Sequence, residues 1–289
     1  MPLSGQEHRH LVDVSHKIRQ RIIDIVYQAG SGHVGGSLSQ VEILVSLYFH
    51  AMQFDPKQPR SEDRDRFVLS KGHGGLGLCA VFAELEMLTD QELARFGETG
   101  FYLGMHMDHT KVAGIEASTG SLGHGFGVSV GMALGARVQK FPWWTYCLIS
   151  DGECYEGSIW EAAMAAAGFG LNKLTLFIDR NRLTMDGFTE EEMPLDPLGD
   201  KYKAFGWKVW DVDGHDVRAL VQAIEGAKQE EDKPSVIIAN TIKGKGVDFM
   251  EEQAKWHYGA LDSEMYEKAK ASIQAQYDAQ LAALQEASS

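Results

Sequence analysis

Cysteine is nearly missing. The chain of 289 residues holds three, Cys79, Cys147 and Cys154, and none forms a CxxC pair. Three scattered thiols are too few for a disulfide framework, and a reducing cytoplasm is the expected setting. Positive charge is also scarce: 27 Lys and Arg stand against 41 Asp and Glu, a formal net charge of −14. A nucleic-acid groove needs a basic footprint, so no nucleic-acid partner is expected. No apolar run reaches the ~18 residues of a helical membrane span. The opening MPLSGQEHRH lacks an apolar signal-peptide core, so no membrane association is expected either. The P-loop pattern GxxxxGK[ST] is absent, because TIKGKG (241–246) lacks its spacing. The acidic balance carries one demand. An anionic ligand would need local cations, helix N-termini or a bound divalent metal to overcome the overall field.

What is present is ordinary globular material, 44% apolar and 24% charged, with enough length to bury roughly 75% of the surface of its unfolded form. Short β-branched runs over 66–70, 143–150, 174–179, 207–212 and 235–241 alternate with helical patterns over 120–138, 158–170 and 217–228. That alternation predicts an α/β fold, a doubly wound and mainly parallel sheet with helices on both faces. Residues 6–29 carry a helical stripe of Leu11, Val14, Ile18, Ile22, Ile25 and Val26. A tail over 261–289 places Ile273, Tyr277, Leu281 and Leu284 on one helical face, either packed on the surface or docking a partner chain. Residues 1–260 read as one domain with that tail added.

Each strand ends in glycine, histidine or a polar group: SKGHGG, SDGE, DRNRLTMDG, DVDGHD and NTIKGKG. Ligands of open α/β sheets bind at the carboxyl ends of strands, so five such exits on one rim predict a single site. Asp151 closes one strand and Asn181 the next, about thirty positions apart, which is one βαβ unit. Both offer hard oxygens suited to Mg²⁺ or Ca²⁺ rather than zinc. Gly152 would admit a bulky anion to the backbone, and the helix starting near Ser158 would aim N–H groups at it. Taken alone, Asp151 reads equally as the start of an Asp-Gly turn or as a helix cap.

SDGECYEG through IDRNRLTMDG resembles the thiamine-diphosphate signature. With SGHVGGSLS (31–39), LSKGHGG (69–75), GIEASTGSLGHG (114–125), DVDGHD (211–216) and TIKGKGVDFMEEQAKWHYGA (241–260), nearly the whole chain resembles transketolases. The resemblance implies the thiamine-diphosphate-binding fold. It implies thiamine diphosphate and Mg²⁺ as cofactors, with Ca²⁺ or Mn²⁺ as substitutes, and Asp151, Asn181 and the Leu183 carbonyl as metal ligands. His73, Gly120, Ser121, Leu122, Gly152, Glu153, Asn181 and His257 would contact the cofactor. His33 and His257 would move protons at the substrate oxygen, and His106 would meet the donor's terminal hydroxyl, with His109 a rival for that role. Glu156 and Glu161 would link paired sites. Lys243 and Lys245 read either as charge for the phosphates or as a solvated loop. His8, His10, His16 and His50 are expected on solvated helix faces. Ser150 stands where the family has glycine, His124 where glutamine is commoner, and GMHMDHTKVAG departs from the usual GHP-containing stretch.

The family's pyrimidine-binding and C-terminal domains have no counterpart here, and with them goes the glutamate that the cofactor's aminopyrimidine requires. The resemblance therefore implies one subunit of a split transketolase, partnered by a second subunit carrying those domains, α2β2 in all. The reaction implied moves a two-carbon ketol unit from a ketose or its phosphate to an aldose or its phosphate. The alternatives are the α-subunit of a 2-oxoacid dehydrogenase and a non-catalytic phosphate-binding regulatory subunit.

Overall fold

A computed structural model describes residues 3–286. Five strands form one parallel sheet: β1 (Arg66–Leu69), β2 (Thr145–Ser150), β3 (Leu174–Arg180), β4 (Lys208–Asp213) and β5 (Ser235–Asn240), in the order β1-β2-β3-β5-β4. Each of the five runs seen in the sequence is a strand, with ends shifted by a residue or two. The three inner strands are buried on both faces, so they read as continuous apolar runs rather than as alternation. Alternate residues serve two cores. Phe67, Leu69, Tyr146, Leu148, Phe177 and Ile237 face one; Val68, Cys147, Ile149, Leu176, Ile178 and Val236 face the other.

The helices are α1 (Gly5–Ala29), α2 (Val34–Ser39), α3 (Val41–Ser46), α4 (Gly75–Glu84), α5 (Asp90–Leu93), α6 (His124–Gln139), α7 (Gly157–Gly168), α8 (Thr189–Glu192), α9 (Leu198–Ala204), α10 (Val217–Lys228) and α11 (Ser263–Glu286). Helices α1, α3, α4 and α10 cover the first face, while α6, α7 and α9 cover the second. The chain is thus doubly wound. Helix α1 starts at a capping box, Ser4 with Glu7, and stops at Gly30 in the left-handed region. Among the described residues no helix is long and apolar enough to cross a membrane.

Three expectations are corrected. The helix expected over 120–138 begins at His124, because Gly120 and Gly123 adopt φ of 142° and 81° and form a turn before it. His8 is buried, and His16 stacks on Tyr277 with ring centroids 4.1 Å apart, so neither is solvated. Both follow from α11 and α10 covering α1, a packing that no local pattern announces. The tail helix lies along α1: Ile273 is buried, Tyr277 donates to Asp13 (2.7 Å) and Tyr266 to Asp24 (2.9 Å).

Candidate cofactor and active site

The exits of β1, β2, β3 and β5 meet on one rim. At the end of β2 the Asp151 carboxylate is 1% exposed. One of its oxygens accepts from Arg182 N (2.6 Å) and the Arg180 guanidinium (3.2 Å), the other from Gly152 N (2.8 Å). Burial, and Asp179 close by, push its carboxyl above the ordinary value in spite of Arg180. Parallel pairing sets Ser150 beside Asp179, so β3 carries its own exit past the same place. There Asn181 Oδ1 accepts from Leu183 N at 3.2 Å. Asp151 therefore grips the amide of the residue that lies between Asn181 and Leu183. Asp151 and Asn181 thus close neighbouring strands, as their spacing had suggested, and both bond the 181–183 backbone.

Beneath them lies a second charge pair. Asp179 is fully buried and accepts from the Lys71 ammonium, from Ser39 (2.6 Å) and from Thr241. Burial alone would raise its carboxyl; Lys71 and the two hydroxyls outweigh burial and hold it below the ordinary range.

From the end of β5 comes Lys243, 3% exposed. Its ammonium donates to the carbonyls of Leu183 (2.7 Å) and Thr184 (2.8 Å) and to His257 Nδ1 (2.9 Å). An ammonium has only donors, so Nδ1 of His257 is the unprotonated nitrogen and Nε2 carries the hydrogen. Desolvation lowers the Lys243 ammonium to about 8. Lys245 is separate: it faces Glu251 at 3.4 Å and lies away from this crevice.

Four histidines from four segments form a chain of edge-on rings. His106 lies 4.6 Å from His73, His73 lies 4.8 Å from His33, and His33 lies 5.4 Å from His257, centroid to centroid. His109 is outside this cluster and bonds Ser118 (3.0 Å). Paired backbone hydrogen bonds between Gly32 and Gly259 (2.9 and 3.0 Å) clamp the His33 and His257 segments together. Burial, with neighbouring histidines and Lys243, pushes His33 down to about 4 and His257 to about 3. Both rings are neutral at pH 7. His33 Nδ1 is buried and has no protein partner; a buried polar atom left so is available to a ligand. Beside the rings a cavity of about 270 Å³ is lined by Ser31, His33, His73, Phe101, Met105 and Tyr258.

The remaining sequence candidates fall into place around this. A Cβ on Gly120 would lie 2.6 Å from the His106 ring, so the glycine is needed for that ring to pack. Ser121 and Leu122 follow it on the rim, Ser121 exposed. A Cβ on Gly152 would touch only Thr184, at 3.6 Å, leaving room over that backbone. Glu153 does not face the crevice: its buried carboxylate accepts from Ser70, Gly123 N (2.9 Å) and Ser150 N (3.4 Å), holding the β1, β2 and Gly120–Gly123 segments together. Asp151 is followed by a 3-10 turn, Gly152–Tyr155, so α7 starts only at Gly157 and the amides nearest the crevice belong to that turn. Glu156 and Glu161 are exposed on the α7 side. Arg180, 1% exposed and bound to Asp151, Thr189 (2.8 Å) and Glu190 (2.5 Å), carries no signal in the sequence.

The donor set fits a hard divalent cation rather than a soft one. Among the described residues no three His, Cys, Asp or Glu gather as a metal site. The strand exits instead offer one carboxylate, one amide oxygen and one carbonyl, the hard oxygens such a cation takes.

Comparison with known proteins gives one answer. The family model for the transketolase thiamine diphosphate binding domain matches residues 11–286. The 6-deoxy-6-sulfo-D-fructose transketolase subunit SqwG of a Clostridium species is 44% identical over 91% of this chain and 97% of its own. One subunit of the apulose-4-phosphate transketolase of Phocaeicola vulgatus is 43% identical over 88% of this chain and 90% of its own. The crystal structure of the Campylobacter jejuni transketolase superposes with a TM-score of 0.86 at 30% identity, covering 92% of this chain but 43% of that one. The chain thus spans less than half the length of that transketolase chain. These matches favour neither the 2-oxoacid dehydrogenase reading nor the regulatory one, and the chain belongs to the transketolase family, as a thiamine diphosphate binding domain.

Proposed function

We propose that this chain supplies the diphosphate and metal half of a ketol-transferring site. It would work with a second subunit that carries the pyrimidine-binding and C-terminal domains. The carrying observation is Lys243. One buried ammonium bonds both the Leu183 carbonyl, in the oxygen set, and His257, in the histidine chain. The two groups therefore belong to one site.

In this reading Asp151, Asn181 and the Leu183 carbonyl hold Mg²⁺ against the cofactor's diphosphate, whose oxygens and waters complete the shell. Ca²⁺ or Mn²⁺ would substitute. His73, His257, the Gly120–Leu122 turn, Gly152 and Asn181 line the diphosphate's place; Glu153 supports them from behind. When bound, thiamine diphosphate supplies the carbon that takes up the two-carbon unit. His33 and His257 are neutral rings: His33, whose Nδ1 has no protein partner, can take a proton from a substrate hydroxyl, while His257, its Nδ1 held by Lys243, would donate from Nε2–H to the substrate oxygen. His106, exposed at the far end of the ring chain, would meet the donor's terminal hydroxyl.

The substrate class is a ketose carrying a strong anion, as the names of the two relatives indicate for those proteins, with an aldose as acceptor. Transfer joins the ketose's first two carbons to the aldehyde and leaves the shortened aldose. The division into a cofactor-binding domain over 1–260 and a helical tail over 261–289 belongs to this reading, since the tail is held chiefly by α1. An α2β2 assembly is favoured because Glu156 and Glu161 are exposed beside a stretch of α6 where Gly127 and Gly131 meet no neighbouring atom. Three buried free thiols suit a reducing cytoplasm.

The test is reconstitution with the second subunit over a panel of ketose phosphates and sulfonates. Ketol transfer should need both chains. His106→Ala should lower kcat/KM for the donor, while His109→Ala should leave it within about twofold. Transfer by this chain alone would contradict the split-site reading.

A further inference from the structure

DVDGHD closes β4, yet neither the metal set nor the histidine chain uses it. Its histidine points elsewhere. His215 Nδ1 lies 2.9 Å from Glu42 Oε2, and His215 Nε2 accepts from Ile242 N at 2.8 Å. The Ile242 amide can only donate, so Nε2 is unprotonated and Nδ1–H donates to Glu42. Glu42, on α3, is buried under a two-pronged contact from Arg19 of α1, at 2.5 and 2.6 Å. The third guanidinium nitrogen of Arg19, Nε, donates to the Lys245 carbonyl at 3.2 Å. Two backbone groups are thus gripped, Ile242 N and Lys245 O, and they flank Lys243 on either side.

We propose that Arg19, Glu42 and His215 are positioning residues: a buried chain that fixes the 242–245 turn and, through it, the Lys243 ammonium on the Leu183 carbonyl and His257. The proposal rests on the reading of Leu183, Lys243 and His257 as parts of the cofactor site. The turn is built on glycine: it runs through Gly244 at φ 82°, with Gly246 at φ 98° just beyond it, and a Cβ on Gly244 would lie 2.5 Å from the Met250 carbonyl. Backbone bonds from Lys245 N to the Ile242 carbonyl (3.2 Å) and from Gly244 N to the Gly35 carbonyl (3.1 Å) shape it, and the buried chain adds a grip on either side of Lys243. A carboxylate that fixes a histidine tautomer, which in turn orients a group at the ligand, is the arrangement by which outer residues tune a binding site. Here the oriented group is a peptide amide next to the lysine. A network that merely stabilised the fold would not need to end on both sides of the cation that joins the Leu183 carbonyl to His257.

The test uses the full chain with its second subunit, titrated with thiamine diphosphate at saturating Mg²⁺. Lys243→Met and His215→Leu should each weaken the apparent Kd about 10- to 100-fold. The double variant should bind no more weakly than Lys243→Met alone, because His215 acts only through Lys243. His215→Gln, whose side-chain oxygen can accept from Ile242 N, should recover most of the loss. Without any ligand, hydrogen exchange of 241–247 should quicken in His215→Leu; if that variant does not fold, Glu42→Gln serves in its place. Losses that simply multiply in the double variant, or unchanged exchange of that segment, overturn the positioning role and leave the site reading intact. An unchanged Kd in Lys243→Met overturns both.

Discussion

Lys71 and Asp179 tie the end of β1 to β3 beside Asp151, and removing the lysine is the sharpest test of how this rim is held. Lys71→Met keeps the length of the side chain and deletes the ammonium. The Asp179 carboxylate, with 0% exposure, would then keep only Ser39 and Thr241 as donors. Breaking a buried pair by removing one partner costs about 3–5 kcal/mol, because the survivor stays charged out of water. The two hydroxyls relieve part of that, so about 3 kcal/mol is expected. For a domain whose whole stability is about 5–15 kcal/mol, this is a large share. It corresponds to a fall in Tm of roughly 6–12 °C at about 2–4 °C per kcal/mol. The second arm is Lys71→Met with Asp179→Leu, which removes both charges and should restore much of the loss. Urea unfolding followed by circular dichroism, run on the wild type, both single variants and the double, gives the coupling. A loss under about 1 kcal/mol in Lys71→Met, or a double variant as unstable as the sum of the singles, would refute a buried charge pair at this place.

Two further outcomes follow from the geometry. Arg19 and His215 outweigh burial and lower the Glu42 carboxyl from 4.5 to about 2. A depressed folded value means the stabilisation, about 3 kcal/mol, is complete above pH ~4.5 and drains away as pH falls toward ~2; urea titrations of wild type and Glu42→Gln should therefore differ at pH 7 and converge across that window, and a constant gap would show that Glu42 is not paired as described. Gly120→Ala puts a methyl 2.6 Å from the His106 ring at a φ of 142°, so it should weaken the donor's kcat/KM at least tenfold with a fall in Tm of only a few degrees, and unaltered kinetics would mean that His106 is not held by that turn.

Much of this was legible in the sequence. Strands buried on both faces announce themselves as unbroken apolar runs, and the polar residues that stop them mark the rim. Asp151 and Asn181 could be paired from spacing alone because one βαβ unit returns the chain to the neighbouring strand. Partners across the fold were not legible. Nothing near Arg180 predicts that it is buried between Asp151 and Glu190, since that depends on how the 182–197 loop folds back. Lys71 and Asp179 lie more than a hundred positions apart along the chain, as do Glu42 and His215, and no periodicity connects them. The resemblance implied Glu153 as a cofactor contact, but within its 3-10 turn the carboxylate bonds Ser70, Gly123 N and Ser150 N instead. The turn before α6 read as helix because glycine carries no pattern. What misled there was local, and what was missed was distant.

The most direct measurement is calorimetric titration of thiamine diphosphate into the two-subunit complex, with and without Mg²⁺, for the wild type, Asp151→Asn and Asn181→Ala. Tight binding should require Mg²⁺ in the wild type and should fall at least a hundredfold in Asp151→Asn, with Asn181→Ala close behind. Binding that ignores Mg²⁺, or that survives both substitutions at full strength, would mean that these two strand ends do not share a metal.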